Sequence, residues 1–288
     1  MNNIIVVGSS SIDLVVNTNK IPNAGETVLG KSFFTTPGGK GANQAVAAAR
    51  LSAEVYMIGA VGNDAYGTQI INNLKDNNVN TDYMDTIENV QSGTAHITLY
   101  EEDNRIIVVP GANNHIKPDT VIPKLAKFNS GDIIILQQEI PSDTVDAVVK
   151  YAYENNLKVI LNPAPYRALS QETIDRVTYL TPNESENELL FGNDLDKVIA
   201  NYPNKLIVTR GDQGAVYFDT IIRNIAGHKQ NVVDTTGAGD TFNGALAVAL
   251  IEKMDLAKAI DFANMAGSLS VTQLGAQGAM PYRQDIQD

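Results

Sequence analysis

Asp234-Thr-Thr-Gly-Ala-Gly-Asp240 runs into Thr241, Phe242, Ala245, Leu246, Val248 and Leu250, small and apolar residues at helical spacing. A glycine-rich turn therefore opens a buried helix and ends in a carboxylate. The first-turn N–H groups, those of Gly237, Ala238 and Gly239, lack partners inside the helix and lie at the positive end of its dipole, so the turn can hold an anion. Glycine at 237 and 239 lets the backbone approach a phosphate closely. Asp240 then sits where a phosphate lands, and a carboxylate there can take the proton of a hydroxyl attacking phosphorus. The dipole alone also favours an acid in a first turn, so Asp240 by itself leaves both readings open.

A second motif, Pro37-Gly-Gly-Lys-Gly-Ala-Asn43, leads into the Ala-rich segment Gln44-Ala-Val-Ala-Ala-Ala-Arg50, which has strong helix propensity. It is neither a Walker P-loop nor Gly-x-Gly-x-x-Gly, so neither of those nucleotide sites has support here. What it offers is a cation (Lys40), an amide (Asn43) and bare backbone at Gly38, Gly39 and Gly41, a hydrogen-bonding set suited to a polyhydroxylated ligand. A plain helix start with a solvated Lys would look similar.

The rest of the chain alternates. Ile4 to Val7, Val55 to Ile58, Ile133 to Leu136, Val159 to Leu161 and Leu206 to Val208 are short Val- and Ile-rich runs that read as buried strands. Tyr66 to Asn77, Ser142 to Glu154 and Asp255 to Gln273 have helical periodicity. This predicts an α/β fold with a mainly parallel sheet covered on both faces. Two regions break the rhythm: Leu14 to Val16 with Val28 to Thr35, and His96 to Tyr100 joined to Arg105 to Val109 through the polar turn Glu101-Glu-Asp-Asn104. They predict a small second sheet over roughly 13–36 and 94–110 whose apolar face needs a cover, which a homodimer would supply.

Acidic residues number 33 against 21 basic ones, and the formal charge of −12 argues against nucleic acid or an anionic membrane as partner. The absence of cysteine excludes disulfides, thiol nucleophiles and cysteine-zinc sites. His96, His115 and His228 stand too far apart for a ligand motif. The apolar start is too short for a signal peptide and no run reaches membrane-span length, so a cytoplasmic location is expected.

The two glycine motifs, in this order and at this separation, resemble the two signatures of the PfkB family of carbohydrate kinases. The resemblance extends over Ile12-Asp13, Gly25-Glu-Thr27, Asn162-Pro-Ala-Pro165, Thr181-Pro-Asn-Glu184, Thr209-Arg-Gly211 and Gly275-Ala-Gln277, and so over nearly the whole chain, 1–288, as one catalytic domain. It implies a ribokinase-like three-layer α/β/α fold with a small β lid. It also implies a sugar site at Ser11, Ile12, Asp13, Gly39, Lys40, Gly41, Asn43 and Glu139, with Ser11 standing where Asn is common. For the nucleotide it implies Asn183, Thr209, Arg210, Gly211, Asp212, Gly214, Gly239 and Asn264, with Glu186 reaching Mg²⁺ through water. A potassium site would use Asp234, Thr236, Ser270, Gln273, Gly275 and Ala279, the last lacking the hydroxyl often found there.

The activity expected from this resemblance is ATP-dependent phosphorylation of D-ribose at its 5-hydroxyl to ribose 5-phosphate. Asp240 would be the base and the N–H groups of Gly237, Ala238 and Gly239 the anion hole. Two alternatives stand beside it: a kinase for deoxyribose, fructose or a nucleoside, and a sugar-binding protein without catalysis.

Overall fold

The computed structural model describes residues 2–101 and 103–286. In chain order the strands are β1 (Ile4–Val7), β2 (Ser11–Thr18), β3 (Gly30–Gly38), β4 (Val55–Gly62), β5 (Val79–Ile87), β6 (Gly93–Tyr100), β7 (Asp103–Val109), β8 (Ile133–Leu136), β9 (Lys158–Leu161), β10 (Tyr179–Leu180), β11 (Ile207–Thr209), β12 (Ala215–Phe218) and β13 (Ile222–Ile225). The helices are α1 (Lys40–Arg50), α2 (Ala65–Asp76), α3 (Pro118–Leu125), α4 (Ser142–Glu154), α5 (Gln171–Arg176), α6 (Glu184–Phe191), α7 (Leu195–Asn201), α8 (Ala238–Ile251) and α9 (Leu256–Ser270).

The central sheet has the order β10-β9-β8-β1-β4-β5, all parallel. Its middle strands are continuously apolar because both faces are covered. Ile4 and Val6 of β1, with Ile133 and Ile135 of β8, enter a core shared with α1, α8 and α9. Their neighbours Ile5, Val7, Ile134 and Leu136 enter the opposite core with α3, α4 and α7. Period-two alternation thus splits each four-residue strand between two layers.

Strand order reverses at β1, which lies between β8 and β4. The loops that follow β1 and β8 therefore diverge and leave a crevice at their carboxyl ends, where open α/β sheets bind ligands. Residues 8–10, which lead into Ser11 to Asp13 at the start of β2, and Gln137 to Glu139 occupy those two loops, and α1 starts beside them.

Three departures from the sequence reading concern edges. The run at 206–208 does not simply extend the parallel sheet: it meets β10 through isolated parallel bridges at Leu180–Leu206 and Asn183–Thr209, then continues antiparallel into β12 and β13. β5 was not foreseen, because Val79–Ile87 carries Asn, Thr and Asp along a strand with only part of its surface buried. The helix expected to reach Gln273 ends at Ser270, where the Val271 carbonyl turns to accept the N–H groups of Val233 at 2.8 Å and Asp234 at 3.2 Å.

The second sheet has the order β3-β2-β6-β7. β6 and β7 form the expected antiparallel hairpin, whose turn residue Glu102 lies outside the described residues. β2 and β6 pair parallel, from Ser11–Gly93 to Asn17–Leu99, so the sheet is mixed rather than two stacked hairpins.

Candidate active site

α1 and α8 build the floor of the crevice by packing closely. A Cβ on Gly244 would lie 2.8 Å from the Ala47 Cβ and from the Gln44 carbonyl oxygen, so only glycine permits this approach. The closeness sets two amides of α1 against the carboxylate of α8. Asn43 Nδ2 donates to Asp240 Oδ2 at 2.9 Å and Gln44 Nε2 donates to Asp240 Oδ1 at 2.9 Å. Asp240 is 6% exposed. Burial pushes its carboxyl above the usual carboxylate range, against the lowering pull of the Lys40 ammonium and the two amides.

Asn43, expected on the sugar, is held at both ends of its amide, since its Oδ1 accepts from Gln277 Nε2 at 2.9 Å, and its second Nδ2–H remains for a ligand. Gln277 is braced in turn by Asn73, and Arg50 donates to the Gln277 carbonyl at 2.6 Å.

Glu139 reaches the start of α1 from the β8 loop. Its Oε2 accepts from Ser9 Oγ at 2.5 Å and from the Lys40 N–H at 3.0 Å, which gives α1 the capping acceptor that Gly39 cannot supply. The Lys40 ammonium is held above its ordinary range chiefly by Asp240, against burial, with Glu139 and Glu186 adding to the effect. Asp13 lies at the other wall. Burial raises its pKa to about 6, the Ser11 hydroxyl lowers it through a 3.4 Å hydrogen bond, and Glu139 and Asp240 raise it further. Three carboxylates and one ammonium therefore face a single opening. Ile12 does not join them, because its side chain is fully buried in the core.

The turn before α8 has the geometry an anion hole requires. Gly237 is left-handed at φ 82°, and a Cβ there would meet the Ala276 carbonyl oxygen at 2.8 Å, so the position needs glycine twice over. Ala238 N–H donates to the Thr235 carbonyl at 3.2 Å, whereas Gly237 and Gly239 N–H have no acceptor among the described residues. Two of the three expected donors are thus free to meet an anion.

Asp234 ties this turn to the chain after α9. Its Oδ1 accepts from Thr236 N–H and its Oδ2 from Gly275 N–H, each at 2.9 Å. Burial would raise its pKa, but these bonds outweigh it and hold the carboxyl below the usual range. Of the other residues expected around the cation, Ser270 donates to the Gly267 carbonyl and keeps its oxygen lone pairs, Gln273 is exposed, and Ala279 is buried and offers only its backbone carbonyl.

A cavity of about 600 Å³ opens from the anion hole. Thr209, Gly211, Asp212, Gly214, Gly239 and Asn264, all expected around the nucleotide, line it together with Ala238 of the anion hole. Asn264 also donates at 3.1 Å to the carbonyls of Ile225 and Ala226, so it braces the wall it lines. Arg210 turns away to Asn224, Gln213 and Glu184. Asn183 and Glu186 form a reciprocal capping box on α6, at 2.8 and 2.9 Å, which accounts for their spacing structurally.

This arrangement of two glycine turns around a buried carboxylate is matched over residues 1–283 by the pfkB family of carbohydrate kinases. The chain belongs to that family. It is 54% identical to the ribokinase of Bacillus subtilis, over 100% of this chain and 99% of that one. Its fold is similar to that of Thermotoga maritima ribokinase, with a TM-score of 0.90 and 34% identity, covering 99% of this chain and 98% of that one. Arabidopsis thaliana ribokinase complexed with ribose and ATP gives a TM-score of 0.88 at 34% identity, covering 98% and 96%.

Within this kinase fold, sequence reasoning missed several residues. Ser9, Gln44 and Gln137 support the floor, and Gly227, His228, Val232, Phe242, Ser268 and Val271 line the cavity. His228 is oriented by Asp261 at 2.8 Å. A polar residue in an otherwise buried Ala-rich helix was the available signal for Gln44. The 227–232 segment has no periodicity to read. Among the described residues no helix is long and apolar enough to cross a membrane.

Proposed function

We propose that this chain transfers the terminal phosphoryl group of ATP to the 5-hydroxyl of D-ribose. The observation that carries the reading is the placement of Asp240, a buried carboxylate oriented by two amides, one residue beyond a turn with free N–H donors and beside a cavity of nucleotide size. The likeness over the full chain to ribokinases supports ribose as the acceptor.

Asp240 takes the proton of the hydroxyl. Its raised pKa makes it a better base than a solvated Asp, while the Lys40 ammonium favours its ionised form. The Gly237 and Gly239 N–H groups hold charge on the transferred group, where losing one donor typically costs about 2.7–4 kcal/mol. Asp13, Glu139 and Lys40 bind the sugar hydroxyls. Mg²⁺ would be carried on the phosphates and its own waters, with Glu186 as an outer partner. Magnesium supplies charge neutralisation on the phosphates when bound.

Asp234, with carbonyls of its own turn and of the 270–275 segment, is the place for a potassium ion, which would stiffen the anion hole through the Thr236 and Gly275 bonds. Replacing potassium by tetramethylammonium at fixed ionic strength should lower turnover about tenfold, less than the roughly 10²- to 10³-fold typical of losing a donor outright; equal rates would remove the ion from the reading. The exposed apolar residues of the lid, Phe33, Ile106, Ile107 and Val108, favour a homodimer through that sheet. An ATP-consumption assay across a panel of sugars tests the activity. Ribose should give the highest kcat/KM, and a panel without turnover would refute the proposal.

A further inference from the structure

We infer that Gln44 is a positioning residue for the reaction: its amide orients the Asp240 carboxylate, and Gln137 holds that amide in the required sense. The inference rests on Asp240 being the base, as proposed above. Gln44 is fully buried, as is Gln137. Gln44 Nε2 donates to Asp240 Oδ1 at 2.9 Å and to Asn162 Oδ1 at 3.2 Å, while its Oε1 accepts from Gln137 Nε2 at 2.7 Å.

The direction of these bonds is dictated by the carboxylate. An ionised Asp accepts only, so it requires the NH₂ end of Gln44. That leaves the Gln44 oxygen facing Gln137, which must present its own NH₂. Asn162 spends its Nδ2 on the Thr181 carbonyl at 3.2 Å and so offers Gln44 an oxygen. Both neighbours therefore specify the same amide orientation. A Gln44 rotated by half a turn would set three acceptors against one another.

Stability alone does not call for this chain of amides. Gln137 Oε1 is buried with no donor among the described residues, a condition that disfavours the folded state. The arrangement is explained by what it does to Asp240. With Asn43 on the other oxygen, each carboxylate oxygen carries one amide and keeps a lone pair for the substrate hydroxyl. The Gln44 bond also pulls the Asp240 pKa down against burial, so losing it leaves a base that is both misaligned and more readily protonated.

The test measures kcat and ribose KM against pH for the full chain and for Gln44→Met, Gln137→Met and Asp240→Asn, with thermal unfolding of each. Gln44→Met keeps length and volume but cannot hydrogen-bond. Its kcat should fall about tenfold, less than the 10²-fold or more typical of removing a base. Ribose KM should stay within about threefold, and the acid limb of the kcat profile should move to higher pH. Gln137→Met, which does not touch the carboxylate, should shift kcat and the limb in the same direction by less, with little change in thermal stability because it removes the orphaned Gln137 oxygen while leaving Gln44 Oε1 without its donor; it carries the test if Gln44→Met does not fold. Wild-type kcat and an unmoved limb in the folded variants, with Asp240→Asn inactive, would overturn the positioning role alone. Wild-type turnover in Asp240→Asn would remove the base itself, and the positioning role with it.

Discussion

The floor of the site and the lid above it are built on opposite plans. On the floor Asp240 is 6% exposed and both its oxygens are bonded within the chain. In the lid Ile107 is 69% exposed and Phe33 62%, on edge strands whose outer sides pair with nothing among the described residues. The floor is complete before ligand arrives, which is the condition for electrostatic preorganisation. The lid leaves an apolar face and two strand edges open, which under the proposed function substrate and a second chain would cover.

The sharpest way to break the floor is Asp240→Asn. The variant keeps shape and one of the two amide bonds, sets its NH₂ against the other donor, and cannot accept a proton, so kcat should fall by about 10²-fold or more. Ribose affinity by calorimetry should change little. Turnover near wild type would mean that the floor preorganises binding and not proton transfer.

How far this contrast was legible follows from how local each part is. The two glycine turns announce themselves, because free backbone donors and close approach are written in consecutive residues such as 237–239. The four-residue strands at 4–7 and 133–136 reveal a sheet covered on both faces for the same reason. Gln44 and Gln137 were illegible as partners, since their bond joins residues far apart in the chain and depends on how closely Gly244 lets α1 and α8 meet. The parallel pairing of β2 with β6 is equally non-local. Asn183 and Glu186 show the reverse ambiguity, where a short motif carries a helix cap as readily as a ligand site.

A second test asks whether the walls read every sugar hydroxyl. Asp13, Glu139 and Lys40 leave a polar group unpaired when a hydroxyl is missing, at roughly 1–3 kcal/mol each. Deoxyribose should therefore be poorer than ribose by about 5-fold to 150-fold in kcat/KM, measured by competition at equal concentrations. The Ser11 hydroxyl is turned onto Asp13 at 3.4 Å, so any contact it makes to the 2-hydroxyl competes with that bond. Preference for deoxyribose would place the discrimination outside these three side chains.

The lid is challenged by Ile107→Asp. A charge on this exposed apolar strand should halve the mass seen by sedimentation velocity, and loosening of the lid should raise ribose KM by about fivefold, on the order of 1 kcal/mol of lost closure. Turnover at saturating ribose should change less, because the floor does not depend on the lid. A wild-type mass that never exceeds one chain would leave substrate as the sole cover.

The smallest effect joins the two regions through Asp13, which stands on a lid strand and faces the floor. Its pKa is raised to about 6, mainly by burial, with Glu139 and Asp240 adding to it. A raised carboxylate pKa means that the folded, ligand-free chain holds the proton more tightly than the unfolded chain. The stability contributed by Asp13 therefore declines as pH rises from its unfolded value toward about 6. Ribose binding runs the other way, because only the ionised carboxylate accepts two hydroxyls. Between pH 7 and pH 5.5 the ionised fraction for a pKa near 6 falls about fourfold, and ribose KM should rise by the same factor. Asp13→Asn should have a high KM that is flat across this range. A wild-type KM equally flat would show that Asp13 binds ribose without its charge, and that the carboxylates of floor and lid titrate independently.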